Sequence, residues 1–174
     1  MLRNRRMILT LCLWLLILPV FGGCGEKENA AADEKAEALP AFTEEEVAAA
    51  EAVLAEYERA YNAKDREAIL ATLTDWHAHP NVMLWDKNET LSLEIVSFDP
   101  EDPERNAYVT AGRGSANGTS LENVIVFHTK YTLTYPEGEV SATRGESTEE
   151  RTDWKMILIR EDKESPWRID DMGW

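Results

Sequence analysis

Two carboxylates and two imidazoles stand close enough in this sequence to suggest chemistry. Asp170 and Asp171 are adjacent near the C-terminus. A carboxyl group acts as a general acid or base near neutral pH only where its surroundings raise its pKa. Tyr57, Tyr61 and His128 are the hydroxyl and imidazole donors available to assist it. Neighbouring side chains on a strand point to opposite faces, so one of the two Asp residues is expected on the covered face. The competing role is structural: an Asp at a strand end caps a turn or pairs with a cation such as Arg160 or Arg168. His77-Ala78-His79 is the second constellation. On extended backbone both imidazoles point the same way, toward one metal ion that Asp75 or Asp86 would share. Zinc asks for three or four ligands in defined geometry. The sequence brings only two together, so neither a metal nor another cofactor is expected.

The elements that must position these groups begin after a removable leader. Met1 to Met7 carries Arg3, Arg5 and Arg6, Ile8 to Val20 is almost wholly apolar, and Gly22 and Gly23 precede Cys24. A basic start, an apolar run of about 7–15 residues and a small-residue exit make a secretory signal. The run falls short of the roughly 20 residues of a membrane-spanning helix. Phe21-Gly22-Gly23-Cys24 resembles the lipobox of bacterial lipoproteins, although Phe21 stands where Leu is usual and Gly22 where Ala or Ser is commoner. That resemblance implies cleavage before Cys24, a diacylglycerol on its thiol and an acylated new amino terminus. The expected location is the extracytoplasmic face of the cell membrane, with membrane lipid engaged through Cys24. Each buried CH₂ contributes about 0.8 kcal/mol to such an anchor.

The 174-residue chain has a formal net charge of −15, and residues 1–23 hold three Arg and no acid, so the mature balance is −18. That excess excludes nucleic acid as a partner, whose binding depends on neutralising phosphates with Lys and Arg. It also repels anionic lipid, so the folded part is not expected to lie flat on a membrane. Only Cys24 survives cleavage, because Cys12 lies in the leader. No intramolecular disulfide can then form, and stability rests on packing. Gly25 to Ala41 is mostly Ala, Glu and Lys, with Leu39 its lone large apolar residue. It cannot bury enough surface to offset its ordering entropy and reads as a tether with a mean span of about 20 Å. The expected organisation is a signal over 1–23, a lipidated Cys and acidic tether over 24–41, and one domain over 42–174.

Thr43 and Glu46 have capping-box spacing, and Phe42 and Val47 occupy the positions of a hydrophobic staple. Val47, Ala50, Leu54, Tyr57 and Tyr61 then recur on one helical face. Asn62-Ala63-Lys64-Asp65 interrupts the pattern, and Asp65 can cap a second helix burying Ile69, Leu70 and Leu73. Val82 to Trp85 reads as a short strand. Glu89 to Phe98 alternates through Leu91, Leu93 and Ile95 and then slips by one at Val96, which predicts a β-bulge. Arg105 to Ser120, with Gly112, Gly114 and Asn117-Gly118, reads as a loop holding a short strand around Tyr108 to Thr110. The most regular strand is Asn123 to Tyr135. Ile125, Phe127, Tyr131, Leu133 and Tyr135 take one face, and Val124, Val126, His128 and Lys130 take the other. Thr152 to Arg160 is apolar on both faces near its end, as a central strand is, and Trp167 to Trp174 closes the chain. Two helices followed by long antiparallel strands make the fold class α+β, with the helices packed on a curved sheet.

Ala60-Tyr61-Asn62-Ala63-Lys64-Asp65 between the helices, with long strands ending in Trp167-Arg168-Ile169-Asp170-Asp171, is similar to the nuclear-transport-factor-2-like superfamily. There a curved antiparallel sheet wraps around helices to form a cone, and some members, ketosteroid isomerases and epoxide hydrolases among them, are enzymes with carboxylates or Tyr inside it. More narrowly, Glu122-Asn123-Val124-Ile125-Val126-Phe127, Ile157-Leu158-Ile159-Arg160-Glu161-Asp162-Lys163 and Ser165-Pro166-Trp167 to Gly173 resemble a lipoprotein domain family, domain of unknown function 4829. That resemblance spans about Glu46 to Trp174 and implies fold and location without adding chemistry.

The expected role is a non-catalytic module that binds a small molecule or an envelope protein. Its competitor is a small hydrolase or isomerase-like enzyme with Asp170 or Asp171 beside Tyr61 or His128 in the cone. Five Trp residues, 76, 85, 154, 167 and 174, lie beyond the leader. Most are expected in the core, and an exposed one would anchor a ligand or partner. An accessory subunit would show an exposed apolar patch around Trp174 or Tyr108.

Overall fold

The computed structural model describes residues 40–78 and 88–173. The expected leader, Cys24, the tether as far as Leu39, His79, the strand over 82–85, and Trp174 lie outside those residues. Helix α1 runs over Glu44–Ala63. The Thr43 hydroxyl accepts from the Glu46 amide at 3.2 Å and the Glu46 carboxylate from the Thr43 amide at 2.9 Å, which closes the expected capping box. Ala50, Leu54, Tyr57 and Ala60 are buried on its inner face, and Phe42 and Val47 pack against the same core. Lys64, left-handed at φ 56°, ends the helix, and the Asp65 side chain caps α2, Arg66–Thr72, by accepting from the Ala68 amide.

Four strands, β1 (Thr90–Phe98), β2 (Val124–Thr134), β3 (Thr148–Ile159) and β4 (Arg168–Gly173), form an antiparallel sheet in chain order. Its inner face carries Leu91, Ile125, Phe127, Leu133, Met156, Leu158 and Ile169 against α1 and α2. Val124, Val126 and Ile157 point the other way and pack with Tyr108 in a second, smaller cluster. The alternation read along β2 and β3 therefore holds on both faces. Burying each such large aliphatic side chain stabilises the fold by about 1.5–3 kcal/mol.

Three bulges bend the sheet. Val96 is the extra residue of β1, where the phase slip in the sequence predicts it. Thr152 and Asp153 stand opposite Lys130, with Asp153 left-handed at φ 59°. Asp170 is the extra residue of β4, between Ile169, which pairs with Leu158, and Asp171, which pairs with Ile157. An unpaired residue in a bulge re-aims its side chain, and two of the three bulges contain a carboxylate, Asp153 and Asp170.

Both sheet edges are engaged. The Asn62 amide donates to the Leu91 carbonyl at 2.8 Å and accepts from the Leu91 amide at 2.7 Å, and Glu58 accepts from the Leu93 amide at 3.1 Å. Side chains of α1 thus occupy outward-facing backbone groups of β1 that would otherwise recruit another strand. On the far edge, Leu73 forms a parallel bridge with Ile169, and the Thr74 amide donates to the Ile169 carbonyl.

The expected loop over 105–120 is instead helical: α3 spans Pro103–Thr110, α4 spans Arg113–Asn117, and a 3-10 turn follows at Leu121–Asn123. Asp102 caps α3 with Pro103 in its first turn, the position Pro favours. Periodicity misses this helix because its most deeply buried residue is a cation. Arg105 is 0 % exposed. It donates to the carbonyls of Val124, Leu121 and Pro40 at 3.1, 2.8 and 3.0 Å and to that of Pro100, and its guanidinium lies over the Phe42 ring. No helix among the described residues is long and apolar enough to cross a membrane.

Candidate functional site

Asp170 is 1 % exposed and lies at the centre of a hydrogen-bonded network. Alternation alone would turn one member of the Asp170-Asp171 pair toward the inner face. The bulge leaves both on the side of α3, while Ile169 and Met172 fill the inner face. Arg113, at the start of α4, grips the Asp170 carboxylate from Nη2 at 2.7 Å and Nε at 3.1 Å. The Thr74 hydroxyl donates at 2.6 Å, the Asn117 amide at 3.4 Å, and the Tyr108 hydroxyl donates to the same group. Burial alone would raise the pKa of Asp170, but the hydrogen bonds from Arg113, Thr74 and Tyr108 outweigh it and hold the carboxyl below its ordinary range. Burial, and then the bond to Asp170, push the Tyr108 hydroxyl far up. Near neutrality Asp170 is ionised and Tyr108 protonated.

Beside this network opens a cleft of about 880 Å³, within the size range of small-molecule sites, about 300–1,000 Å³. The turn after α2 supplies Thr74, Asp75 and Trp76, α4 supplies Arg113 and Asn117, and Arg160 and Arg168 come from the β3–β4 end. Trp76 is 68 % exposed, with the Arg113 guanidinium 4.4 Å from its ring centroid, a cation–π contact. Arg160 is committed elsewhere, to Glu46 at 2.5 Å and Asn123 at 3.1 Å. The Thr43 amide, and then Arg160, take the pKa of Glu46 down to about 2. A second recess of about 400 Å³ lies under α3, lined by Glu104, Lys155 and Asp171 among others.

The other expected donors stand apart from Asp170. Tyr61 donates to Glu89, which is 3 % exposed, at 2.7 Å, on the α1 side of the sheet. Burial, then this bond, raise the Tyr61 hydroxyl well above its usual range. Burial pushes Tyr57 up to about 12. His128 lies between the Asp153 and Asp102 carboxylates, at 2.5 Å from Nδ1 and 2.7 Å from Nε2, and Asp153 first, with Asp102, raises its pKa. Asp170, Tyr61 and His128 are thus three separate centres. Asp171 is half-buried, and its carboxylate accepts from the Met172 amide.

His77 sits in a turn rather than an extended segment, its amide donating to the Thr74 carbonyl. Its Nε2 is buried without a hydrogen-bond partner, and burial, with Arg113 nearby, lowers its pKa. Among the described residues no group of three or more His, Cys, Asp or Glu is placed to hold a metal. Trp167 is buried at 5 % exposure against Phe42. Tyr108, the expected patch residue, is 4 % exposed.

Reading the sequence finds Asp170 and an arginine partner, but names Arg160 or Arg168 where Arg113 serves. Arg113, Tyr108 and Asn117 are not read as partners of Asp170 because they lie in the stretch read as a loop. The trace that stretch leaves in the sequence is the pair Gly112 and Gly114, where a Cβ would come within 2.8 Å of the Tyr108 carbonyl oxygen and 2.7 Å of the Tyr108 ring respectively. The chain matches none of the curated proteins. A family profile described as "Domain of unknown function (DUF4829)" matches residues 51–173, which take in the sheet, α2 to α4 and the whole Asp170 network. The chain therefore belongs to the DUF4829 family.

Proposed function

We propose that this chain is a lipoprotein held at the extracytoplasmic face of the membrane through Cys24, and that its domain is a non-catalytic binding module with the architecture of the nuclear-transport-factor-2-like superfamily. The single observation that carries the binding reading is the state of Asp170. A general acid or base must exchange its proton near neutrality. The carboxylate at this cleft instead stays ionised, with every strong donor around it engaged. Its role is to fix Arg113, and through Arg113 the cleft wall. The leader, the lipobox-like residues and the Ala/Glu-rich segment before Pro40 support the anchor, and helices packed on a curved antiparallel sheet support the superfamily.

The test is co-purification from membranes in mild detergent, with mass spectrometry of bound small molecules and proteins, comparing the wild type with Trp76→Ala. A species retained by the wild type and lost from the variant is the expected result. Equal recovery from both, or none from either, overturns the assignment to this cleft.

A second reading keeps one specific observation: the buried Glu89 carboxylate accepts from Tyr61 on the inner face of the sheet. A hydrolase built there would turn over activated esters or epoxides, an isomerase would convert a β,γ-unsaturated ketone to its α,β isomer, and either would lose that turnover in Glu89→Gln. Absence of turnover in the wild type removes it.

A further inference from the structure

We infer that the cleft takes a neutral saccharide, with one sugar ring stacked on the indole of Trp76. This rests on the reading of the cleft as a binding site and adds the class of its ligand. Trp76 leaves two-thirds of its surface to water, yet it is held in place. Arg113 lies over its ring, Asp170 grips Arg113 from two atoms, and Thr74 and Tyr108 grip Asp170. An exposed aromatic ring supported from a buried network is pre-organised for a flat, partly apolar partner, so little ordering is left to do on binding.

The remaining wall decides which flat partner fits. Arg113, Arg160 and Arg168 are matched in number by Asp75, Asp170 and Glu161, so the cleft favours neither sign. A polyanion would also meet the acidic excess of the whole protein, and a cation would meet the guanidinium already on the indole. Arg113 and Asp170 satisfy each other, and Arg160 is committed to Glu46. Asp75 and Arg168 are both exposed, and neither side chain has a partner among the described residues. That leaves a planar acceptor and a planar donor on a cleft with a fixed aromatic ring. A hexose presents a C–H face for the ring and hydroxyl groups that both donate and accept around its edge. Neither a purely apolar ring nor a simple ion uses all three features.

The experiment titrates the full chain in detergent with tetra-N-acetylchitotetraose and with cellotetraose, read by calorimetry and tryptophan fluorescence. Nucleoside monophosphates and dipeptides run in parallel. The expected result is saturable binding of at least one saccharide below about 1 mM. Trp76→Ala should weaken it tenfold or more, Trp76→Phe far less, and Arg168→Ala several-fold. Because Trp76 is exposed, an unchanged thermal midpoint verifies that Trp76→Ala is folded, and Trp76→Phe supplies a check if it is not. Lack of binding of both saccharides up to about 5 mM, or affinity unchanged in Trp76→Ala, overturns the proposal. Trp76-dependent binding of a nucleotide or dipeptide instead overturns the saccharide while keeping the cleft as a binding site. Failure of every probe, together with equal co-purification from wild type and Trp76→Ala, overturns both.

Discussion

Replacing Asp170 with asparagine removes one buried charge and almost no volume, which isolates the electrostatic part of the network. Asparagine keeps one acceptor oxygen and turns the other into an NH₂ group. The Tyr108 hydroxyl can rotate to accept from that group, whereas the Arg113 guanidinium has only donors to offer. The change therefore removes at least one of two charge-assisted hydrogen bonds, each contributing about 1.5–3 kcal/mol, and leaves Arg113 without its counter-ion. The Arg113 side chain is 21 % exposed and regains some hydration, which places the loss near the lower end of the roughly 3–5 kcal/mol seen when a buried ion pair is broken. An expected loss of about 3 kcal/mol corresponds to a fall of roughly 10 °C in Tm. In urea it moves the midpoint by about 1.5 M at an m-value near 2 kcal/mol/M. The Arg113→Gln single variant and the double variant complete a cycle whose coupling should be about 2 kcal/mol. Because Asp170 has a lowered folded pKa, its contribution is present above the unfolded value of about 3.9 and is lost as pH falls through the folded value. The gap between wild type and Asp170→Asn should stay constant from about pH 5 to 8 and shrink below about pH 4. A loss under about 1 kcal/mol, or strict additivity in the cycle, would refute the network as the anchor of the cleft wall.

His128 should titrate above its ordinary value of about 6.5, since Asp153 and Asp102 both face it, with Lys155 beside Asp153 and Glu104 paired to Lys155. A raised folded pKa gives stability that is full below about pH 6.5 and lost as pH rises through the folded value. The excess stability of wild type over His128→Asn should thus be wide near pH 5.5 and close toward pH 9, and an imidazole NMR midpoint at or below 6.5 contradicts this. Asn62→Ala should cost about 1–2 kcal/mol and speed hydrogen exchange at the Leu91 amide; unchanged protection there would show that Asn62 does not close the edge of β1. Gly114→Ala should lower Tm and disturb Tyr108 fluorescence, as the new methyl group meets the Tyr108 ring; an unchanged Tm counts against tight packing at that site. Cys24→Ser should release the chain from the membrane fraction, and retention with the leader still attached contradicts lipidation.

Where backbone and side chains speak the same pattern, the fold is legible from residue types alone. Thr43 and Glu46 announce the start of α1, Asp65 that of α2, and Val96 betrays its bulge by breaking a long alternation. The bulge at Asp170 breaks an alternation only six residues long, too short for a phase slip to show. Helix α3 hides for a different reason. Its buried positions are Arg105 and Tyr108, and a guanidinium satisfied by backbone carbonyls carries no hydropathic signal. Asp170 was legible as a candidate because its type is informative. Its partner Arg113 was not, since it lies 57 residues away and only the packing of α4 brings the two together. The exposure of Trp76 is likewise a property of the assembled cleft, and no rule of composition separates it from buried Trp167.

Arg105 has a mechanical consequence. If the proposed attachment through Cys24 holds, the domain is pulled from its N-terminal side, and tension along the chain enters the described structure at Pro40. There the Arg105 fork takes the Pro40 carbonyl and passes the load to Leu121 and Val124, at the head of β2. A few residues later Glu46 hands a second share to Arg160, immediately after β3. β2 and β3 are the two inner strands of the sheet, each bonded to a neighbour on both sides, so traction is borne where the structure has most to share it. The outer strands and the Trp76 and Arg113 wall of the cleft lie off that path, and Arg160 is the residue through which the path and the cleft lining meet.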